Sequence, residues 1–267
     1  MITRRHNTKF SLMICGAKGS GKSAFFNSLV NKDIVKQSES KDIDIYILNL
    51  DCDGEIQKIT FIDTPGFGDS MNDEALQDSI VDYIKDQFDS FIEEETKIRR
   101  NAKFEDTRVH CLVYLIPGTG HGLKERDIAF LRKVSGLVNI VPVISKAEGM
   151  TDSELVEVKS LINDQLQYYK IRVFDFENGS LLPSPIIEQG LNSVIPFACV
   201  FPENVGEDLR IRDHPHRTVE IDNPSHSDYP NLRNVLLSSH TEAFIEVTDT
   251  DLYEKYRSDA LENILQE

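Results

Sequence analysis

Along the chain the apolar positions change period several times. Short runs rich in β-branched and aromatic residues at 9–15, 43–50, 57–62, 109–116, 140–144 and 194–200 read as strands. Between them lie amphipathic stretches. Leu76, Ile80, Ile84, Phe88 and Phe91 recur on one helical face of 72–99. Thr151 and Glu154 form a capping box that opens a second helix, whose apolar face is Leu155, Val158, Leu161, Ile162 and Leu166. Strands alternating with helices predict an α/β fold on a mainly parallel six-stranded sheet. The turn residues Asp51-Cys52-Asp53-Gly54 make the second and third strands an antiparallel hairpin at one edge. Beyond Val200 the pattern breaks: Pro202, Pro215, Pro224 and Pro230 fall in polar sequence together with His214, His216, His226 and His240. Helical spacing returns at Leu232, Val235 and Leu236, then at Leu252, Tyr256, Ala260 and Ile264. On composition alone this region is a loop-rich appendage. The chain has no internal repeat and no flexible linker.

Composition narrows the class of function. The 267 residues are 40% hydrophobic and 8% aromatic, without tryptophan, which excludes a disordered chain and leaves enough apolar surface for a large core. Lys plus Arg number 29 against 45 Asp plus Glu, a net charge of -16. Bulk charge therefore argues against a nucleic-acid partner and against direct binding to an anionic membrane. Cys15, Cys52, Cys111 and Cys199 show neither metal-ligand nor disulfide spacing, and three of them lie in apolar runs, as buried thiols would. Arg4 and Arg5 before the apolar stretch Phe10 to Cys15 imitate a secretory leader, but that stretch is too short and runs straight into a glycine loop. A cytoplasmic protein is the expectation. His110, inside an apolar strand, reads as a hydrogen-bonded core histidine, and Glu93-Glu94-Glu95 as the solvated end of a long helix.

The chemistry sits on three motifs. Gly16-Ala17-Lys18-Gly19-Ser20-Gly21-Lys22-Ser23 is a complete phosphate-binding loop, placed after a strand and before a helix. Its glycines let backbone N–H groups converge on phosphate oxygens, and the helix beginning near Lys22 adds its positive end. Gly16, Lys18, Gly19, Ser20, Gly21, Lys22, Ser23 and Ala24 are the candidate phosphate ligands, with the Ser23 hydroxyl on Mg2+. Asp63-Thr64-Pro65-Gly66 ends the third strand; Asp63 is a candidate Mg2+ residue and the Gly66 N–H a candidate γ-phosphate donor. Ser145-Lys146-Ala147-Glu148 stands where a base would be selected: the Lys146 stem covers the base, and a carboxylate accepts from guanine N1–H and the 2-amino group. Glu148 is longer than an aspartate by one methylene, about 1.5 Å. An adenine nucleotide, and with it a P-loop ATPase or kinase, therefore stays open beside a guanine-nucleotide switch.

The order and wording of these motifs resemble the septins, a family of filament-forming GTP-binding cytoskeletal proteins. The likeness is most specific in Asp106-Thr107-Arg108-Val109-His110-Cys111, Gly120-His121-Gly122-Leu123 with Asp127-Ile128, and Val138-Asn139-Ile140-Val141-Pro142-Val143-Ile144. It continues through Ile195-Pro196-Phe197, Leu232-Arg233-Asn234 and Tyr253-Glu254-Lys255-Tyr256-Arg257. The resemblance implies a P-loop NTPase G domain filling the whole chain, with a core over about 8–200 and a septin-type element of short strands and helices over about 201–267. It implies GTP or GDP with Mg2+ as cofactors, Arg212 as the arginine over the guanine, and His121 in a loop facing a neighbouring subunit. It also implies assembly with other septin subunits into filaments at the cell cortex or division site.

The departures set the expected activity. Between Ser23 and Thr60 there is no threonine to orient Mg2+ and water, and Ser38 and Ser40 are only partial substitutes. Phe67 follows Gly66 where a switch GTPase of the Ras type has a water-positioning glutamine. No catalytic residue is therefore assigned, and hydrolysis is expected to be slow or absent. His214-Pro215-His216-Arg217 replaces the family's aromatic-proline-tryptophan-glycine run, and Phe201 replaces a glycine near the base. The basic N-terminal arm is reduced to Arg4, Arg5 and Lys9, so membrane contact is expected to be weak or indirect. A monomeric switch GTPase remains the alternative to a filament subunit.

Overall fold

The computed structural model describes residues 9–35, 42–52, 55–68, 73–99, 101, 104–177, 190–202, 210–215 and 217–266. Among these, the strands are β1 (Phe10–Gly16), β2 (Asp44–Cys52), β3 (Glu55–Asp63), β4 (Cys111–Pro117), β5 (Asn139–Ser145), β6 (Phe197–Cys199), β7 (Ile211–His214) and β8 (Arg217–Glu220). The first six form one sheet in the order β2-β3-β1-β4-β5-β6, and β7 pairs with β8 in a second. Every neighbouring pair in the large sheet is parallel except β2 and β3, whose antiparallel register ends at Cys52 opposite Glu55. The expected edge hairpin is thus present; its turn residues Asp53 and Gly54 lie outside the described residues. β1, β4 and β5 are buried almost throughout, which is why they read as unbroken apolar runs. On edge strand β2 the pattern alternates, and Ile45 and Ile47 are more than half exposed.

Helices α1 (Lys22–Val30), α2 (Asp73–Thr96), α3 (Glu125–Val134) and α4 (Asp152–Tyr168) connect the strands. The α2 core face is Ile80, Val81, Ile84 and Phe88. At the start of α4, the Thr151 hydroxyl accepts from the Glu154 N–H and the Glu154 carboxylate accepts in return from the Thr151 N–H. Two expectations need correction here. Leu161 is 40% exposed, because it lies at the rim of the face, over Gly122, rather than in the core. The acidic run at the end of α2 is not wholly solvated. Glu94 is buried, pairing with Lys97 at 3.0 Å and accepting from the Asn101 N–H, while Glu95 accepts from the Tyr253 hydroxyl. The chain following α2 and the C-terminal region both fold back onto that end.

The strand expected over 194–200 is shorter, Phe197–Cys199, since Pro196 has no N–H to give and Asp228 takes the place of a further strand. The Ala198 N–H donates to the Asp228 carboxylate and its carbonyl accepts the Asp228 N–H, both at 2.8 Å. Lys159 neutralises that carboxylate at 2.9 Å.

Among the described residues beyond Val200, helix predominates over loop. After β8 come α5 (Tyr229–Asn234), a π-helical turn Val235–Ser239, α6 (Thr241–Val247), a second π-helical turn Thr248–Tyr253 and α7 (Glu254–Gln266). These helices share the main core. Phe244, fully buried, packs against Phe10, Phe174 and Phe176. The buried Asn139 amide donates to the carbonyls of His110 and Phe244 and to the Thr248 hydroxyl, at 2.9–3.1 Å. His110 is a core histidine whose Nδ1 accepts from the Ser11 N–H at 3.0 Å, while its buried Nε2 faces the Asp106 carboxylate at 3.8 Å. Cys15, Cys111 and Cys199 are buried free thiols, and burial pushes the Cys15 thiol up to about 12. Among the described residues no helix is long and apolar enough to cross a membrane.

Candidate functional site

The chain leaves β1 between β3 and β4, its two parallel neighbours, which makes the carboxyl end of β1 the switch point where an open α/β sheet leaves a crevice. Gly16–Ser23 fills that place. A side chain at Gly16 would put its Cβ 2.6 Å from the Leu115 carbonyl oxygen, so only glycine allows the loop to leave here. Gly21 is the left-handed N-cap of α1 and has no side chain to satisfy the first amides of the helix. The Ser20 hydroxyl is buried and has no hydrogen-bond partner among the described residues. Lys22 folds back over the loop, donating to the Gly16 and Ala17 carbonyls at 3.2 and 3.3 Å. Ser23 and Ala24 are half-buried on the first turn of α1, and Lys18 is exposed.

Asp63–Gly66 is fastened to this loop. The Thr64 hydroxyl donates to the Ile14 carbonyl at 2.8 Å. The Lys18 N–H donates to the Phe67 carbonyl at 2.8 Å, and the Phe67 N–H to the Gly16 carbonyl at 3.3 Å. The Phe67 ring is fully buried against Phe130, so this position anchors the loop in the core. A Cβ at Gly66 would lie 2.7 Å from Lys18 Cα and 2.8 Å from both the Lys18 nitrogen and Lys22 Nζ. Gly66→Ala is accordingly expected to separate the two loops and lower nucleotide affinity at least about tenfold, read by equilibrium titration; unchanged affinity would contradict the role of this contact.

The electrostatics of the pair are unfinished. One Asp63 carboxylate oxygen is buried with no hydrogen-bond partner among the described residues. Burial raises the Asp63 carboxyl above its ordinary range, and Lys22 pulls it partway back. Burial lowers the Lys22 ammonium, with Asp63 opposing. An anion held at Lys22 would favour the ammonium, and a divalent cation at Asp63 would favour the carboxylate. Ser23 and Asp63 supply the hard oxygen donors such a cation takes, and Lys22 with the first amides of α1 could meet phosphate.

The base-side residues form a second group. Lys146 follows β5 in a left-handed conformation, exposed, and begins a 3-10 turn, Ala147–Gly149, in which Glu148 is buried. Arg212 on β7 crosses to this turn, placing Nε 2.7 Å from Glu148 Oε1, and Nη1 donates to the Phe201 carbonyl at 3.1 Å. Phe201 joins the two groups: its ring packs on Phe25 at 5.2 Å and stands next to Gly21. The structure thus brings Gly16–Ala24 together with Asp63 and Gly66, and separately Glu148 with Arg212. Sequence reasoning missed Phe201 as the link and Phe67 as an anchor. A backbone carbonyl contact leaves no mark in sequence, whereas the apolar Phe67 in a polar loop was a readable signal. Ser38, Ser40 and His216 lie outside the described residues.

Comparison with known proteins bears on this arrangement. A family model described as Septin matches residues 6–267. Cell division control protein 11 of Encephalitozoon cuniculi is 51% identical over 262 residues, covering 98% of both chains. Septin homolog spn3 of Schizosaccharomyces pombe is 38% identical over 94% of this chain and 72% of its own. Among solved structures, that of Cdc11 from Saccharomyces cerevisiae superposes with a TM-score of 0.66 at 32% identity, over 95% of this chain and 100% of that one. The septin GTPase domain from Chlamydomonas reinhardtii shares the fold with a TM-score of 0.73 at 22% identity, over 94% of this chain and 98% of its own.

Proposed function

The chain belongs to the septin family of GTP-binding cytoskeletal subunits, and from that premise we propose that its guanine nucleotide serves mainly as an interface cofactor, hydrolysed slowly or not at all. Lys18, Lys22 and the amides of Gly16 through Ala24, with Gly66, take the phosphates. Ser23 and Asp63 hold Mg2+, a group their oxygen donors and the orphaned Asp63 oxygen fit. The cation would neutralise charge on the phosphates. Lys146, Glu148 and Arg212 enclose the base. Residues of about 8–200 and 201–267 act as one G domain with its septin-type element, consistent with the Phe244 and Asn139 contacts that join them.

The observation that carries the reading of slow hydrolysis is Phe67. Its ring is fully buried, and its backbone is bonded on both sides to the phosphate loop, so no side chain there can orient an attacking water. Other septin subunits are the partners, met at the nucleotide-side surface, and membranes are reached through them rather than through this chain of net charge -16. The relatives carry the name cell division control protein, and the same setting, at the division site or cortex, is proposed here. Single-turnover hydrolysis with Mg2+ and GTP, paired with light scattering, tests this. The expected rate lies below the roughly 4 × 10⁻⁴ per second of an unassisted small GTPase, in a dimer or larger assembly. Faster turnover by a monomer would support the switch reading instead.

A further inference from the structure

The Arg212–Glu148 pair has a consequence for which purines the site accepts. A carboxylate that reads guanine fully sets its two oxygens side by side, one for N1–H and one for the 2-amino group. In this chain the two oxygens are not equivalent. Glu148 Oε1 is ion-paired with Arg212, whose Nε lies 2.7 Å away, and the same guanidinium is tethered by Nη1 to the Phe201 carbonyl at 3.1 Å. Both side chains are held: that of Glu148 is 6% exposed and that of Arg212 25%. Glu148 Oε2, by contrast, is buried and has no hydrogen-bond partner among the described residues. A buried acceptor left unmet costs free energy that a ligand donor can recover. The additional methylene of Glu148 is what the pair requires, since an aspartate would fall short of Arg212 by about 1.5 Å.

We propose that Arg212 is a positioning residue which commits Glu148 Oε1, leaving Oε2 as a single strong acceptor for base N1–H, so that this septin discriminates poorly for the purine 2-amino group. The inference rests on the guanine-site reading above. Hypoxanthine has the N1–H but not the 2-amino group, whereas adenine has an unprotonated N1. The site therefore takes inosine and guanine nucleotides alike and still rejects adenine.

The test is equilibrium binding of GTP, ITP and ATP, each with Mg2+, to the full chain. Wild type is expected to bind ITP within about threefold of GTP and ATP at least about tenfold more weakly. Arg212→Met releases Oε1, and Glu148→Asp withdraws the carboxylate from Arg212. Each should raise the preference for GTP over ITP to about tenfold or more, the value of one further bond to a charged acceptor. The use of two variants on different elements guards against misfolding of either. Equal weakening of GTP and ITP in both variants would make Arg212 merely structural and overturn the inference, as would a wild-type preference already tenfold and unmoved by either change. Should wild type bind ATP as well as GTP, the guanine-site reading falls and this inference with it.

Discussion

Replacing Arg108 with methionine is expected to destabilise the protein by about 3 kcal/mol, the lower end of what breaking a buried ion pair costs. Arg108 is 3% exposed and lies among groups from three parts of the chain. It meets Asp106 at 2.6 Å and Asp249 in the second π-helical turn at 2.5 Å. Its guanidinium lies 3.7 Å from the centre of the Phe91 ring on α2, with Tyr253 at 5.1 Å. Methionine keeps the stem and some ring contact but leaves Asp106 without its counter-charge. For a chain of this size that loss is a fall in Tm of roughly 6–12 °C, measurable by calorimetry.

The pH dependence supplies a second readout. Burial alone would raise Asp106, but His110 and Arg108 beside it outweigh burial and hold the carboxyl well below its ordinary value. A depressed folded-state value contributes stability above the unfolded value of about 3.9, lost as pH falls below it. The wild type should therefore lose stability steeply below about pH 4, and Arg108→Met should flatten that limb. A variant as stable as wild type at pH 7, with an unchanged acid limb, would remove Arg108 as the clamp between α2, the segment preceding β4 and the C-terminal region.

Lys22→Met should have the opposite profile, with little change in the free protein and loss of the ligand response. Burial already disfavours the Lys22 ammonium. Its removal deprives the Gly16 and Ala17 carbonyls of a donor but also relieves that burial, so free-protein stability should change by no more than about 1 kcal/mol. With GTP and Mg2+ at a hundred times the dissociation constant, wild type should gain about 2.7 kcal/mol, a rise in Tm of roughly 5–10 °C. At the same concentrations the variant should gain less than about 1 °C. An equal rise in both proteins would show that Lys22 does not hold phosphate.

Much of the fold and of the site is legible in the amino-acid sequence, for identifiable physical reasons. β1, β4 and β5 are legible because both faces are buried, leaving unbroken apolar runs. The phosphate loop is legible because its chemistry is local, with each residue within one short turn of the next. The C-terminal helices yield only fragments of period. Two π-helical turns interrupt them, each shifting the phase of the apolar face. The truncation of β6 depends on Asp228, about thirty residues downstream, acting as a surrogate strand. No local pattern encodes that. Motif and resemblance mark the base-side residues, yet nothing in the sequence marks the bond between Glu148 and Arg212, since the two are 64 positions apart. The missing glutamine is visible at Phe67, and its apolar ring in a polar loop signals burial; the backbone bonds by which it joins the two loops leave no mark in the sequence.

The most direct test of the account is an equilibrium titration of the purified chain with GTP and with ATP in the presence of Mg2+. One GTP is expected to bind per chain, with ATP bound at least about tenfold more weakly because adenine offers no N1–H to Glu148. Equal binding of the two nucleotides, or a preference for ATP, would contradict it.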